Sequence, residues 1–202
     1  MKKRLFTLIL TVTLALGISG CSAFHDTASQ LFSQMENVPA APVSAAVSGS
    51  SVSVYFPRAG QDAEGKLIEE IGSAEKRLDV AIYSFTDKKV ADAIAGDKKR
   101  GVAVRLISDK ECSGASSQKA CLKIVKNAGI PVKVNSHSGI MHLKVSIIDD
   151  SSVTTGSYNY TASAQKKNDE NLVVVANETI AGEYEKEFDR MWNDTKNYTF
   201  LS

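Results

Sequence analysis

Three basic residues follow Met1 and precede a largely apolar run, and regular alternation sets in only from about residue 52. Val52-Ser53-Val54-Tyr55-Phe56 predicts a strand that Pro57 ends. Leu67, Ile68, Ile71 and Ala74 recur at helical spacing, which predicts a helix reaching Arg77. Residues 80–85 predict the next strand. Val90, Ala91 and Ile94 mark a helix that ends at Gly101, and residues 102–107 predict another strand. Cys121, Ile124, Val125 and Ala128 form a stripe closed by Gly129, followed by a strand over 131–134. Residues 143–148 are rich in β-branched side chains and suit a buried strand. A strand over 172–176 follows, then a helix with Ile180, Tyr184, Phe188 and Met191 at helical spacing. Trp192 beside that stripe reads as core. Strands alternating with helices predict an α/β sandwich around a largely buried sheet.

The first 51 residues lack this periodicity. Lys2, Lys3 and Arg4 precede an apolar stretch over 5–18 that is short for a bilayer span. Ile18-Ser19-Gly20-Cys21 resembles a bacterial lipobox, so cleavage before Cys21 and lipidation of its thiol are expected. Ser22, in place of Asp, resembles the sorting pattern for the outer membrane. The expected organisation is a signal peptide over 1–20, a flexible tether over 21–51 and one catalytic domain over 52–202. The expected location is periplasmic, lipid-anchored at the outer membrane. Losing Lys2, Lys3 and Arg4 takes the formal charge from +1 to −2. Overall basicity therefore gives no attraction to a polyanion, and any such attraction must be local.

The chemistry-bearing residues lie between 142 and 171. His142 and Lys144 are two apart, so in a strand they share a face, as do Ser157 and Asn159 if the next strand runs that far. Asp149-Asp150-Ser151-Ser152 between the two apolar runs is turn chemistry. The resulting hairpin gathers an imidazole, an ammonium, a hydroxyl and an amide, a nucleophile among donors suited to one phosphate group. Asp149 stands seven residues from His142 and faces away by parity. Its expected role is structural, accepting bonds from the turn. Glu170 is the carboxylate expected to hold the His142 imidazole and set its tautomer. Tyr158, out of phase with its neighbours, reads as packing. His137 has no lysine two residues on and is not a second motif.

His142-x-Lys144, Asp149 after four residues and Gly156-Ser157-x-Asn159 after six more resemble the signature of the phospholipase D superfamily, with Glu170 as its downstream acid. The resemblance runs from about Val52 to the C-terminus and is strongest to the small bacterial endonucleases with a single motif. It implies a mixed β-sheet flanked by helices, one lobe per chain. The superfamily uses two such motifs per active site, so the resemblance implies a homodimer with a shared site. One His142 would attack phosphorus to form a phosphohistidine. His142 of the partner subunit would protonate the leaving oxygen and then activate water. Lys144 and Asn159 would stabilise the phosphorane with Ser157 assisting, while Asp149 and Gly156 shape the motif. No metal or cofactor is expected, because no His, Cys or carboxylate set with ligand spacing accompanies these residues.

Two further features refine the picture. In an exported chain the pair Cys112 and Cys121 predicts a disulfide, with a C-x8-C zinc site or free thiols as alternatives. Lys98-Lys99-Arg100 and Lys166-Lys167 are basic clusters, the second placed to guide a phosphate backbone. Three functions fit: an endonuclease cutting DNA or RNA, a phospholipase D acting on headgroups, and an inactive phosphate-binding module. The polar segments over 135–139 and 161–167 show no apolar groove for acyl chains, which favours nucleic acid.

Overall fold

The structure, a computed structural model, describes residues 43–47 and 49–201. The expected signal peptide, Cys21, Ser22 and most of the expected tether lie outside the described residues.

Among the described residues nine strands form one mixed sheet. They are β1 (Val43–Val47), β2 (Ser50–Tyr55), β3 (Arg77–Ile82), β4 (Ala103–Ser108), β5 (Val132–Asn135), β6 (Lys144–Ile148), β7 (Ser152–Gly156), β8 (Leu172–Ala176) and β9 (Tyr198–Phe200). Their order is β1-β2-β8-β7-β6-β3-β4-β5-β9. Only β3-β4 and β4-β5 are parallel, and every other pair is antiparallel. The sheet takes in residues that the periodicity assigned to the tether. Val47 pairs with Ser50 across a tight turn in which Gly49 has φ 77, a conformation that glycine adopts without strain.

The helices are α1 (Ala63–Gly72), α2 (Lys88–Lys99), α3 (Lys110–Gly114), α4 (Ser116–Asn127), α5 (Ala162–Lys166) and α6 (Glu178–Asn193). Helix α1 starts at Asp62, which accepts from Gly65 N at 2.8 Å, and it ends at Gly72 instead of reaching Arg77. Arg77 instead opens β3, which runs over 77–82 and not 80–85. The early part of this strand was hidden because Asp79 interrupts its apolar pattern. Asp79 is fully buried and takes a bidentate pair from Arg105, Nε at 2.7 Å and Nη2 at 2.9 Å.

Alternation along the strands divides the core in two. Leu78, Val80, Ile82, Val104 and Leu106 face α1, α2 and α4, which bury Leu67, Ile71, Ile94 and Val125. Ala81, Ile107, Val145, Ile147 and Val153 face the other way, against Ala181, Phe188 and Met191 of α6. Arg105 fastens α6 to the sheet. It donates to Glu185 and Asp189 at 2.8 Å each, and its guanidinium lies 4.9 Å from the Phe188 ring centroid. A bidentate, stacked guanidinium suits such a half-buried cluster better than an ammonium would.

The expected disulfide is absent, and both thiols are free. Cys121 points into the core from α4, where burial pushes its pKa up to about 11. Cys112 sits on α3 near Tyr83, and burial pushes its thiol pKa up. Within the cluster at the end of α2, Arg100 is structural, donating to the carbonyls of Gly72 and Ala74 at 2.9 Å.

The β6-β7 turn places Asp149 and Asp150 at φ 51 and 58, left-handed conformations that Asp tolerates better than most residues. The Asp149 carboxylate accepts from the backbone N–H groups of Glu75, Lys76 and Arg77 at 2.7–2.8 Å. Its structural role therefore holds, but the donors come from the α1-β3 connection and not from its own turn. Burial opposes ionisation of Asp149, yet the three N–H donors outweigh it and hold the carboxyl below its ordinary pKa. A depressed folded-state pKa contributes stability above the unfolded value, near about 4, that is lost as pH falls through the folded value. Asp149→Asn keeps a residue type that accepts positive φ but removes the charge. It should cost roughly 1–3 kcal/mol at pH 7. In urea denaturation the gap to wild type should narrow steadily below about pH 4; a gap independent of pH would mean that the charge contributes nothing.

Candidate active site

The site forms where β6 begins and β7 ends. Antiparallel pairing sets Lys144 opposite Ile82, and Tyr83 N donates to Leu143 O at 2.9 Å, so His142 comes to lie beside Tyr83. Past Gly156 the chain leaves β7 and pairs again with the extension of β3, through Tyr160 N to Ser84 O at 3.1 Å. Ser157 and Asn159 therefore reach the site from beyond the strand and not from within it. A cleft of about 650 Å³ is lined by His142, Lys144, Gly156, Ser157, Asn159, Glu170 and Asn171. The sequence placed six of these seven at the site, and no apolar side chain lines the cleft.

Each polar group is held differently. His142 is exposed, with its ring edge-on to Tyr83 at 4.6 Å between centroids. Lys144 is 6% exposed, donates to the His142 carbonyl at 2.9 Å and lies 4.9 Å over the Tyr83 ring. Burial pushes its ammonium below the usual lysine pKa, and the Glu170 carboxylate pulls it partly back. Asn159 accepts from Ser84 N through Oδ1 at 3.3 Å, which leaves its NH₂ as a donor for the cleft. The result is an imidazole, a cation and an amide donor around one polar space, suited to a tetrahedral anion.

Two expected roles change. Glu170 does not hold His142, because its oxygens accept from Ser157 Oγ at 2.5 Å and from Asn168 Nδ2 at 3.0 Å. Ser157 in turn spends its proton on Glu170 and accepts from Asn171 N at 3.1 Å, so it braces the loop instead of donating into the cleft. The imidazole instead packs edge-on against the Tyr83 ring. The periodicity showed Tyr83 only as a strand residue. Asn171 was also missed, although it directly follows Glu170. Its Oδ1 accepts from Ser157 N at 2.9 Å and its carbonyl from Tyr158 N at 3.2 Å.

Tyr158 is buried, as its parity suggested. His137 lies apart from the cleft, its Nδ1 accepting from Gly139 N at 3.1 Å. Lys166 and Lys167 are exposed at the end of α5 and do not line the cleft. Among the described residues no three His, Cys, Asp or Glu side chains converge in a way that could hold a metal ion.

The family model described as "Cardiolipin synthase, PLD-like domain" matches residues 67–192, which span every motif residue of the cleft. The chain belongs to the phospholipase D superfamily. The crystal structure of Nuc from Salmonella typhimurium, a phospholipase D family member, superposes with a TM-score of 0.70 at 32% identity, covering 75% of this chain and 98% of Nuc. NucT from Helicobacter pylori gives 0.64 at 30% identity, covering 71% and 96%. The mitochondrial cardiolipin hydrolase of Xenopus laevis is 31% identical over 138 residues, or 67% of this chain and 65% of that protein. The chain thus spans under two thirds of that relative's length but nearly all of Nuc and NucT. The mixed sheet flanked by helices is the fold that the superfamily resemblance implied.

Gly156 has φ 133. A Cβ there would lie 2.6 Å from Asn171 Oδ1, and closer still to the Asn171 carbonyl. Gly156→Ala should therefore cost roughly 2–4 kcal/mol, from positive φ and overpacking together. It should also push Asn171 off Ser157. Denaturation midpoints and activity at a temperature where the variant stays folded check both effects; near-wild-type values for both would show that the loop yields without cost.

Proposed function

We propose that the chain is a phosphodiesterase working through a covalent phosphohistidine, and that its substrate is nucleic acid cut without strong sequence preference. The observation that carries this is the convergence of His142, Lys144 and Asn159 on one cleft whose lining includes no aliphatic or aromatic side chain. His142 attacks phosphorus, and Lys144 and Asn159 take the charge that develops on the non-bridging oxygens. Glu170 keeps Lys144 cationic and holds Ser157, so it acts on the reaction through its neighbours. The likeness to Nuc, a phospholipase D family member, and to NucT over nearly their whole lengths supports the phosphodiesterase part of this reading.

One chain brings one histidine, His142, to the cleft, whereas the reaction needs both a nucleophile and an acid. The proposal therefore includes a homodimer in which His142 of the partner subunit protonates the leaving oxygen and then activates water. Export, cleavage before Cys21 and a lipid anchor at the outer membrane belong to the same reading.

A specific observation favours phospholipid as the second reading. Leu143, Val145, Ile147, Phe188 and Met191, with Glu183 and Glu187 also in the lining, form a largely apolar groove of about 220 Å³ that was not visible in the flanking segments. It opens on the sheet face opposite Lys144, since odd-numbered residues of β6 point away from it. The cardiolipin hydrolase relatives fit this reading.

The two substrates separate in one experiment. The full chain should nick and then degrade supercoiled plasmid, leave cardiolipin and phosphatidylcholine vesicles intact, and lose all cleavage as His142→Ala. Release of phosphatidic acid from vesicles with plasmid untouched would reverse the assignment. The shared site is tested by co-refolding wild-type and His142→Ala chains in varied ratios. Activity per total protein should follow the square of the wild-type fraction, and a linear fall would rule out a site shared between subunits.

A further inference from the structure

The sheet register that builds the cleft also builds a second recess beside it. Tyr55 of β2 pairs with Leu172 of β8, so the next residues outward, Phe56 and Asn171, come to lie side by side at the same sheet end. A recess of about 280 Å³ is lined there by Phe56, Arg58, Ser157, Asp169, Glu170 and Asn171. It shares Ser157, Glu170 and Asn171 with the catalytic cleft, so the two spaces adjoin at the Ser157–Asn171 brace.

The recess offers an aromatic face that is held in place. Phe56 is 45% exposed, and its backbone is anchored on both sides. Its N–H donates to Gln61 Oε1 at 2.6 Å, and Pro57 directly follows it in the 3₁₀ turn Pro57–Ala59. Arg58 in that turn is also anchored, Nη1 donating to Lys167 O at 3.2 Å and Nε lying 3.7 Å from Asp169. Around the ring stand a guanidinium, two carboxylates and an amide, donors and acceptors of both kinds. The recess thus sets an apolar ring face beside charged and amide groups at its edge. A flat heterocycle with polar edges would stack on Phe56 and find partners for those edges.

We infer that Phe56 and its polar rim form a subsite for the nucleobase flanking the scissile phosphate. This rests on the nucleic-acid reading and adds to it the group that holds the strand. Stacking tolerates any base, because every base presents a π-face. The subsite therefore gives grip without sequence preference.

The test uses the full chain as His142→Ala, so that a fluorescein-labelled single-stranded deoxyoligonucleotide is bound but not cut, with affinity read by anisotropy. Phe56→Ala in that background should weaken binding about 5- to 150-fold, the range of one base–aromatic stack. Phe56→Tyr should restore it, and Phe56→Leu, apolar but not flat, should not. An oligonucleotide whose bases are replaced by abasic residues should bind the parent more weakly, and Phe56→Ala should then make no difference. Equal affinity of the parent, Phe56→Leu and Phe56→Ala chains for the normal oligonucleotide would overturn the subsite while leaving the nucleic-acid reading standing. A Phe56 effect that survives on the abasic strand would overturn stacking. A parent chain that binds no oligonucleotide but binds cardiolipin vesicles, with Phe56→Ala releasing them, would overturn both.

Discussion

The antiparallel pairing of β6 against β3 is the constraint on which the rest of this molecule depends. β3, β4 and β5 form a parallel half that helices α1, α2 and α4 cover on one face. Setting β6 antiparallel beside β3 brings the start of β6 to the end of β3, the end at which side chains of a parallel sheet are most often free to act. Lys144 then lies opposite Ile82, and His142 meets Tyr83 without a long connection. The turn that follows is anchored by the Asp149 carboxylate on three N–H groups of the α1-β3 connection. Register is thereby locked from both ends of the hairpin, and a one-residue slip would turn Lys144 to the opposite face.

Electrostatics in the cleft follow from the same arrangement. A lysine that is 6% exposed would lose its charge more readily than one in water, and the structure supplies three compensations. The His142 carbonyl accepts from it, the Tyr83 face lies beneath it, and Glu170 stands nearby as a negative charge. Glu170 is free to do this because its own oxygens are occupied by Ser157 and Asn168 and not by His142. The same brace carries the loop from Gly156 to Asn159 past β6. The cleft floor and the recess at Phe56 therefore share one set of supports, and distortion of that brace reaches both.

Much of this was legible in the sequence, for identifiable reasons. The spacing from His142 to Asn159 depends on short-range geometry, because strand parity and turn chemistry act over a few residues. The motif, the hairpin and the structural role of Asp149 followed from it. Long apolar stripes likewise located α2, α4 and α6 and their buried faces. Elements failed to show where polarity masked periodicity. Asp79 hid the first half of β3, the Ser-rich stretch hid β1, and β9 is only three residues long. The disulfide expectation failed because spacing says nothing about direction. Cys121 faces the core, while Cys112 faces Tyr83.

What the sequence determined by itself was the set of reacting groups and the kind of anion they suit, because these depend on residue type and local period. Which group holds which was decided only by the tertiary structure. Glu170 and Tyr83 are separated from His142 by 28 and 59 residues, and their places were set by how β8 and β3 fall in the sheet. Carboxylate and imidazole were each available to several partners, and local spacing could not choose among them. The choice came from sheet register, a long-range property fixed by which strands bury their apolar faces together. The same register put Phe56 beside Asn171, two residues whose proximity nothing along the chain announces.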